Sequence, residues 1–191
     1  MSLVAGTDVL AHRTEDYLQA ARIGLEPDTV LVILHLTPGV AVAEEFTAAL
    51  DRDRDGSLST DEQREYARQV VSALKVEMDG RALRPRVVSS GFPGLSAFGR
   101  GEGTIRMTIQ ATLPRVAPGS HQLFFRNQHL SAHSAYLANA LVPESAGVAV
   151  TGQHRTRDQS ELTIEFTVHA DSPARANGRR RPPRLPRGGP P

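Results

Sequence analysis

Residues 104–113 alternate strictly, with Ile105, Met107, Ile109, Ala111 and Leu113 against Arg106, Thr108, Gln110 and Thr112. Successive side chains of a strand point to opposite faces, so this pattern has one apolar and one polar face. A helix of period 3.6 would scatter the same apolar residues around its whole surface. Residues 161–169 repeat the pattern, with Leu162, Ile164, Phe166 and Val168 on one side. Further short strands are predicted over 17–25, 29–36, 121–126, 136–142 and 148–153. Residues 29–36 read TVLVILHL, the near-continuous β-branched and apolar run of a buried strand. Glu26-Pro27-Asp28 predicts a turn before it, and hence a hairpin. Asp79-Gly80, between 75–78 and 82–88, predicts a second hairpin whose later strand is confined by Pro85 to a sheet edge. Residues 89–103 are Gly-rich and read as a loop. Many short strands separated by close turns predict a fold that is mainly β with an α insertion, an antiparallel β-sandwich.

The insertion shows as a change of period. After Pro38-Gly39, residues Val40, Ala43, Phe46, Thr47 and Leu50 recur at helical spacing. From about Ser59 a second helix is predicted, with Tyr66, Ala67, Val70, Val71 and Leu74 on one face. The helix pair places the insertion at about 40–74.

Between these helices, residues 51–62 read Asp-Arg-Asp-Arg-Asp-Gly-Ser-Leu-Ser-Thr-Asp-Glu. The run fits D-x-[DN]-x-[DN]-G-x₅-E, the EF-hand loop, at every required position. Calcium is a hard cation that takes six to eight oxygens, and the spacing supplies them. Asp51, Asp53 and Asp55 offer carboxylates at loop positions 1, 3 and 5. Gly56 permits the sharp reversal. Ser57 offers its backbone carbonyl, Ser59 acts directly or through water, and Glu62 binds through both oxygens. Leu58 takes the apolar position beneath the loop. Ser59-x-x-Glu62 is also a capping box for the exit helix. The expected cofactor is Ca²⁺, held at one helix-loop-helix EF-hand. EF-hands ordinarily pair, and no second loop of this spacing exists here, so weak binding of the extracellular type, roughly 0.1–1 mM, is expected. A polar Gln63 opens the exit helix where an apolar residue is common. A structural clamp is therefore expected rather than a signalling sensor.

The formal net charge of +1 averages two unlike parts. Residues 172–191 hold six Arg, six Pro, three Gly and no acid, whereas the first 171 residues carry 16 basic and 21 acidic side chains. The tail is expected to be disordered, since it has nothing to bury. No aromatic interleaves its arginines as a stacking platform requires, so no nucleic-acid partner is predicted. The absence of Cys excludes disulfides, thiolate zinc sites and a cysteine nucleophile. No apolar run approaches the length of a membrane-spanning helix. Residues 1–11 lack a basic n-region and a full apolar h-region, so no complete signal peptide is predicted there. Val9-Leu10-Ala11 nevertheless has the small or neutral residues of a cleavage site. The expected organisation is thus a terminal segment at 1–11, a β domain at 12–171 and the tail at 172–191.

No nucleophile, base and oxyanion hole assemble in this sequence, and no enzymatic activity is expected. An alternative reading is a transition-metal module for nickel or copper, using His12, His129 and His133. His129 and His133 lie four apart, which on a helix would put both on one face. Arg126-Asn127-Gln128-His129 is polar and dense.

Four runs carry a resemblance: HRTEDYLQAARIGLEPD from His12, LTPGVAVAEEF followed by the 51–62 loop, FRNQH, and AYLANALVP. Over about 12–168 the chain resembles a group of bacterial exported proteins with an EF-hand. Some of these are similar to the extracytoplasmic part of hydrogenase- or urease-accessory membrane proteins, a group associated with nickel handling. The resemblance implies a periplasmic or extracellular location and membrane association through a separate anchor. It implies no catalytic activity and identifies no protein partner.

Overall fold

The computed structural model describes residues 17–170; the segment at 1–11, His12 and the tail at 172–191 lie outside the described residues. The described chain is mainly β, with few helices. Its strands are β1 (Tyr17–Glu26), β2 (Thr29–Pro38), β3 (Leu74–Met78), β4 (Arg81–Ala82), β5 (Arg86–Gly91), β6 (Ile105–Thr112), β7 (Gly119–Asn127), β8 (Ser134–Ala140), β9 (Val148–Arg155) and β10 (Glu161–Val168). Helices α1 (Ala43–Leu50) and α2 (Thr60–Ser72) follow β2, and α3 (Leu95–Gly99) follows β5.

Two five-stranded sheets result. The first has the order β5-β6-β2-β1-β8 and the second β4-β3-β7-β10-β9. In the first, the alternating run of β6 lies antiparallel to β2, with Leu34 opposite Met107 and Val32 opposite Ile109. The apolar faces of the two strands therefore coincide. β1 and β2 form the hairpin expected at Pro27-Asp28, with Glu26 opposite Thr29. One apolar cluster draws on both sheets, including Ile23, Leu34 and Ile109 from the first and Val76, Phe125 and Ile164 from the second.

Three expectations are corrected. The sheets are not wholly antiparallel, because β8 runs parallel to β1 with Tyr17 opposite Ser134. Apolar periodicity carries no strand direction, and β8 reaches the first sheet by crossing over from β7 in the second. The single strand expected over 82–88 is divided: β4 pairs with β3, whereas β5 pairs with β6 in the other sheet. Pro85, between them, has no N–H to give a ladder. The loop expected over 89–103 contains the end of β5 and helix α3. α3 carries Phe98, fully buried, edge-on to Phe46 at 5.1 Å between ring centroids. Gly103 makes room for that ring, since a Cβ there would lie 2.2 Å from Phe98 Cδ1.

The Asp79-Gly80 turn has left-handed φ at both residues, 47° and 74°, as a two-residue type I′ hairpin requires. Asp79 also fastens the turn to β7. Its Oδ1 accepts from the N–H of Gln122 at 2.9 Å, and its Oδ2 lies 2.8 Å from His121 Nδ1. His121 Nε2 lies 2.8 Å from the carbonyl oxygen of Ala117. Both ring nitrogens thus face acceptors, an arrangement fully satisfied only by the imidazolium. Desolvation opposes that charge, but the hydrogen bonds to Asp79 and Ala117 and the Asp79 charge outweigh it, so the His121 pKa is raised.

Two outcomes are expected. Gly103→Ala should destabilise the fold by about 1–3 kcal/mol through overpacking against Phe98, read as a lower urea midpoint; an unchanged midpoint would contradict the close fit. A raised histidine pKa contributes stability that is complete below about pH 6.5 and is lost as pH rises through the folded value. The urea midpoint of the wild type should therefore fall relative to that of His121→Gln as the pH rises above about 6.5. Parallel pH profiles would remove the clamp.

Candidate metal centre

The loop at 51–62 joins α1 to α2, and each helix end positions part of it. Asp51 closes α1, its N–H donating to Thr47 O at 2.9 Å, and it is only 8% exposed. Its carboxylate turns back over the loop. Oδ1 accepts from the N–H of Asp55 at 3.1 Å and Oδ2 from the N–H of Gly56 at 3.0 Å. Gly56 has φ 81°, the left-handed conformation that the reversal needs and that L side chains avoid. Arg54 is also left-handed, at φ 59°. Leu58 packs against the core from beneath, as expected of the loop's apolar residue.

Three of the six sequence-derived residues converge. Asp51, Asp53 and Asp55 each offer a carboxylate oxygen, and these oxygens all lie within 4.8 Å of one another. It is the one such group of three His, Cys, Asp or Glu among the described residues. Their charges are felt within the loop. The Asp55 N–H favours ionised Asp53, but desolvation and the charges of Asp55 and Glu62, with a contact to Asp51, outweigh it and raise the Asp53 pKa.

The other three residues are arranged differently. The N–H and hydroxyl of Ser57 both donate to Asp55 Oδ1 at 2.8 Å, bracing that carboxylate. Ser59 and Glu62 form the capping box of α2. Glu62 N donates to Ser59 Oγ at 3.3 Å, while Glu62 Oε2 accepts from Ser59 N at 2.9 Å and from its hydroxyl at 2.7 Å. Glu62 Oε1 reaches across the loop to the N–H of Arg52 at 2.7 Å. These donors, the Ser59 hydroxyl first, hold the Glu62 pKa below its ordinary value. Glu62 is therefore an ionised carboxylate at the mouth of the loop, beside rather than within the aspartate group.

Of the histidines of the alternative reading, His129 and His133 are not brought into a ligand group, and His12 lies outside the described residues. His129 is buried and its Nε2 shares a 3.0 Å hydrogen bond with the Tyr66 hydroxyl. Burial pushes its pKa down to about 4. His133 ends a single 3₁₀ turn, so the helical juxtaposition of the pair does not form. No group of three ligating side chains among the described residues includes either of them.

Tyr17, Gln19, Tyr66, Asn127, His129 and Tyr136 form a buried polar network at the base of the helix pair. The Tyr17 and Tyr66 hydroxyls are hydrogen-bonded to each other. Gln19 donates from Nε2 to His129 O at 2.6 Å and accepts from Asn127 Nδ2 at 2.8 Å. Tyr136 also donates to His129 O, at 2.9 Å. Its signals in the sequence are Gln19, a polar residue on the buried side of β1, and the polar run that holds Asn127 and His129.

Comparison with known proteins gives no match: no family model, no curated protein and no solved structure matches this chain.

The capping box has a consequence that does not involve metal. Ser59→Ala should lower stability by about 1 kcal/mol in chelator, read by urea unfolding. No loss would show that the box contributes nothing to α2.

Proposed function

We propose that this chain binds calcium through a single EF-hand loop at 51–62, as a structural element of a non-enzymatic β-sandwich. The observation that carries the reading is the convergence of the Asp51, Asp53 and Asp55 carboxylates at loop positions 1, 3 and 5. Two oxygens bound to one calcium can be at most about 5 Å apart, twice the usual calcium–oxygen distance, and the aspartate group meets that limit. Three carboxylates held so close repel one another in water, and a divalent cation removes that repulsion. Ser57 and Ser59 lie along the same loop to complete the oxygen set. Glu62, already hydrogen-bonded to the second loop residue, is the carboxylate that would close it.

The sandwich is supported by the apolar cluster shared between the sheets. The helix pair is inserted between β2 and β3, one strand from each sheet. A cation that joins the α1 and α2 ends of the loop would hold the insertion together. The single loop and its exposed surface favour weak binding, suited to the millimolar calcium outside cells. We place the protein on the periplasmic or extracellular side of a bacterial envelope, with any membrane association made through a separate anchor. The sequence resemblance supports that placement.

Calcium should raise the melting temperature of the full chain, since a ligand that binds only the folded state stabilises it in proportion to ln(1 + [L]/Kd). Glu62→Gln should abolish the rise, and titration calorimetry should show one calcium per chain, with no comparable heat from nickel. Equal melting temperatures in calcium and in chelator would overturn the reading.

A further inference from the structure

The exit helix of the loop is tied to a distant surface turn. Glu62 and Tyr66 are four residues apart on α2, so they stand on one face, about 6 Å apart along the axis. Glu62 holds the loop end, and Tyr66, at mid-helix, is buried against the core. The Tyr66 hydroxyl bonds His129 Nε2 at 3.0 Å. The C-cap carbonyl of the same helix, Ala73 O, accepts from Gln128 N at 3.0 Å. Both ends of α2 therefore act on neighbouring groups, the near end on the acidic loop and the far end on the chain at 128–129.

That chain is held under strain. Leu130 has φ 48° and ψ 44°, a left-handed conformation that a branched L side chain seldom adopts. Its side chain is nonetheless 47% exposed, so no burial of its own holds it there. The conformation is maintained by the bonds around it. His129 N donates to Asn127 Oδ1 at 3.0 Å, His129 O accepts from Gln19 and Tyr136, and Leu130 O accepts from Ser134 Oγ at 2.8 Å. The His129 ring, packed edge-on to Tyr66 at 5.4 Å and to Tyr17 at 6.0 Å, is the only side chain of this turn seated in the aromatic cluster.

We propose that occupancy of the 51–62 loop controls the order of the Gln128–His133 turn, through the Tyr66–His129 hydrogen bond. The proposal rests on the calcium reading and adds its output. Drawing Glu62 onto a cation changes the partners of the first turn of α2. A helix transmits such a shift along its length, because its own hydrogen bonds keep it rigid. Tyr66 then fixes His129, and His129 fixes the strained backbone that presents Leu130 to solvent. With the loop empty, Glu62 stays with the Ser59 cap and the Arg52 N–H, no cation ties the α2 start to the aspartates, and the turn is held less firmly in the left-handed state. The element so held is the surface turn between β7 and β8, at the entry to β8.

The test is amide hydrogen exchange on the full chain, with calcium binding followed in parallel by calorimetry. In the wild type, calcium should slow exchange at Gln128, His129 and His133 by roughly tenfold. Tyr66→Phe keeps the ring and loses only the hydroxyl; it should bind calcium within about threefold of the wild-type affinity while the slowing at the turn disappears. His129→Leu breaks the same bond from the other side and should behave alike, which covers a failure of either variant to fold. Tyr17→Phe leaves the Tyr66–His129 bond intact and should retain the slowing. Calcium heat with unchanged exchange at the turn would overturn the coupling, as would slowing that survives in both Tyr66→Phe and His129→Leu. Absence of calcium heat in the wild type would instead overturn the calcium reading.

Discussion

A buried polar group that finds no partner costs roughly 1–3 kcal/mol, and six side chains at one junction of this fold meet that requirement together. Tyr17 and Gln19 come from β1, Tyr66 from α2, Asn127 from β7, His129 from the following turn and Tyr136 from β8. Gln19 alone engages Asn127, His129 and Ser134. Since β7 belongs to the second sheet and β1 and β8 to the first, the network joins both sheets to a helix of the insertion. Each of its members satisfies another, so replacing one leaves a buried partner short of a bond.

The aromatic side chains around the network seat the rest of the insertion. Phe46 on α1 lies 5.2 Å from Tyr17, 5.8 Å from Tyr66 and 5.1 Å from Phe98, measured between ring centroids. One ring of α1 therefore touches β1, α2 and α3 at once. Both helices flanking the acidic loop rest on the same cluster, so the separation of their loop-facing ends is set by packing. The loop spans that separation in two halves. The aspartates and Ser57 bond among themselves at the α1 end, and Ser59 bonds Glu62 at the α2 end. The two halves are bridged by the bond from Arg52 N to Glu62 Oε1.

Much of this was legible in the residues. The alternations of β6 and β10 announce their buried faces because the strand period is two wherever one face meets a core. Asp79-Gly80 announces its turn because few residue pairs accept two left-handed conformations in succession. Ser59 and Glu62 announce the start of α2 because they satisfy each other's local donors. The aspartate spacing, likewise, is a local property of twelve consecutive residues. What stayed hidden was non-local. Leu95 and Phe98 are too few to show a period, so α3 was concealed within a Gly-rich stretch whose Gly103 serves the Phe98 ring. Nothing in residues 134–140 marks β8 as parallel to β1, and nothing near Pro85 tells that β4 and β5 join different sheets.

The sequence by itself determined the strand faces, the tight turn, the helix cap and the carboxylate spacing, because each depends on side chains within a few residues of one another. The tertiary structure alone decided which strands became neighbours, which sheet each entered, and that Tyr66 would meet Tyr17 and His129. Those meetings span 49 and 63 residues of chain. They are chosen by how whole apolar faces pack and by the need to pair every polar group that the packing buries. Neither condition can be evaluated until the fold exists.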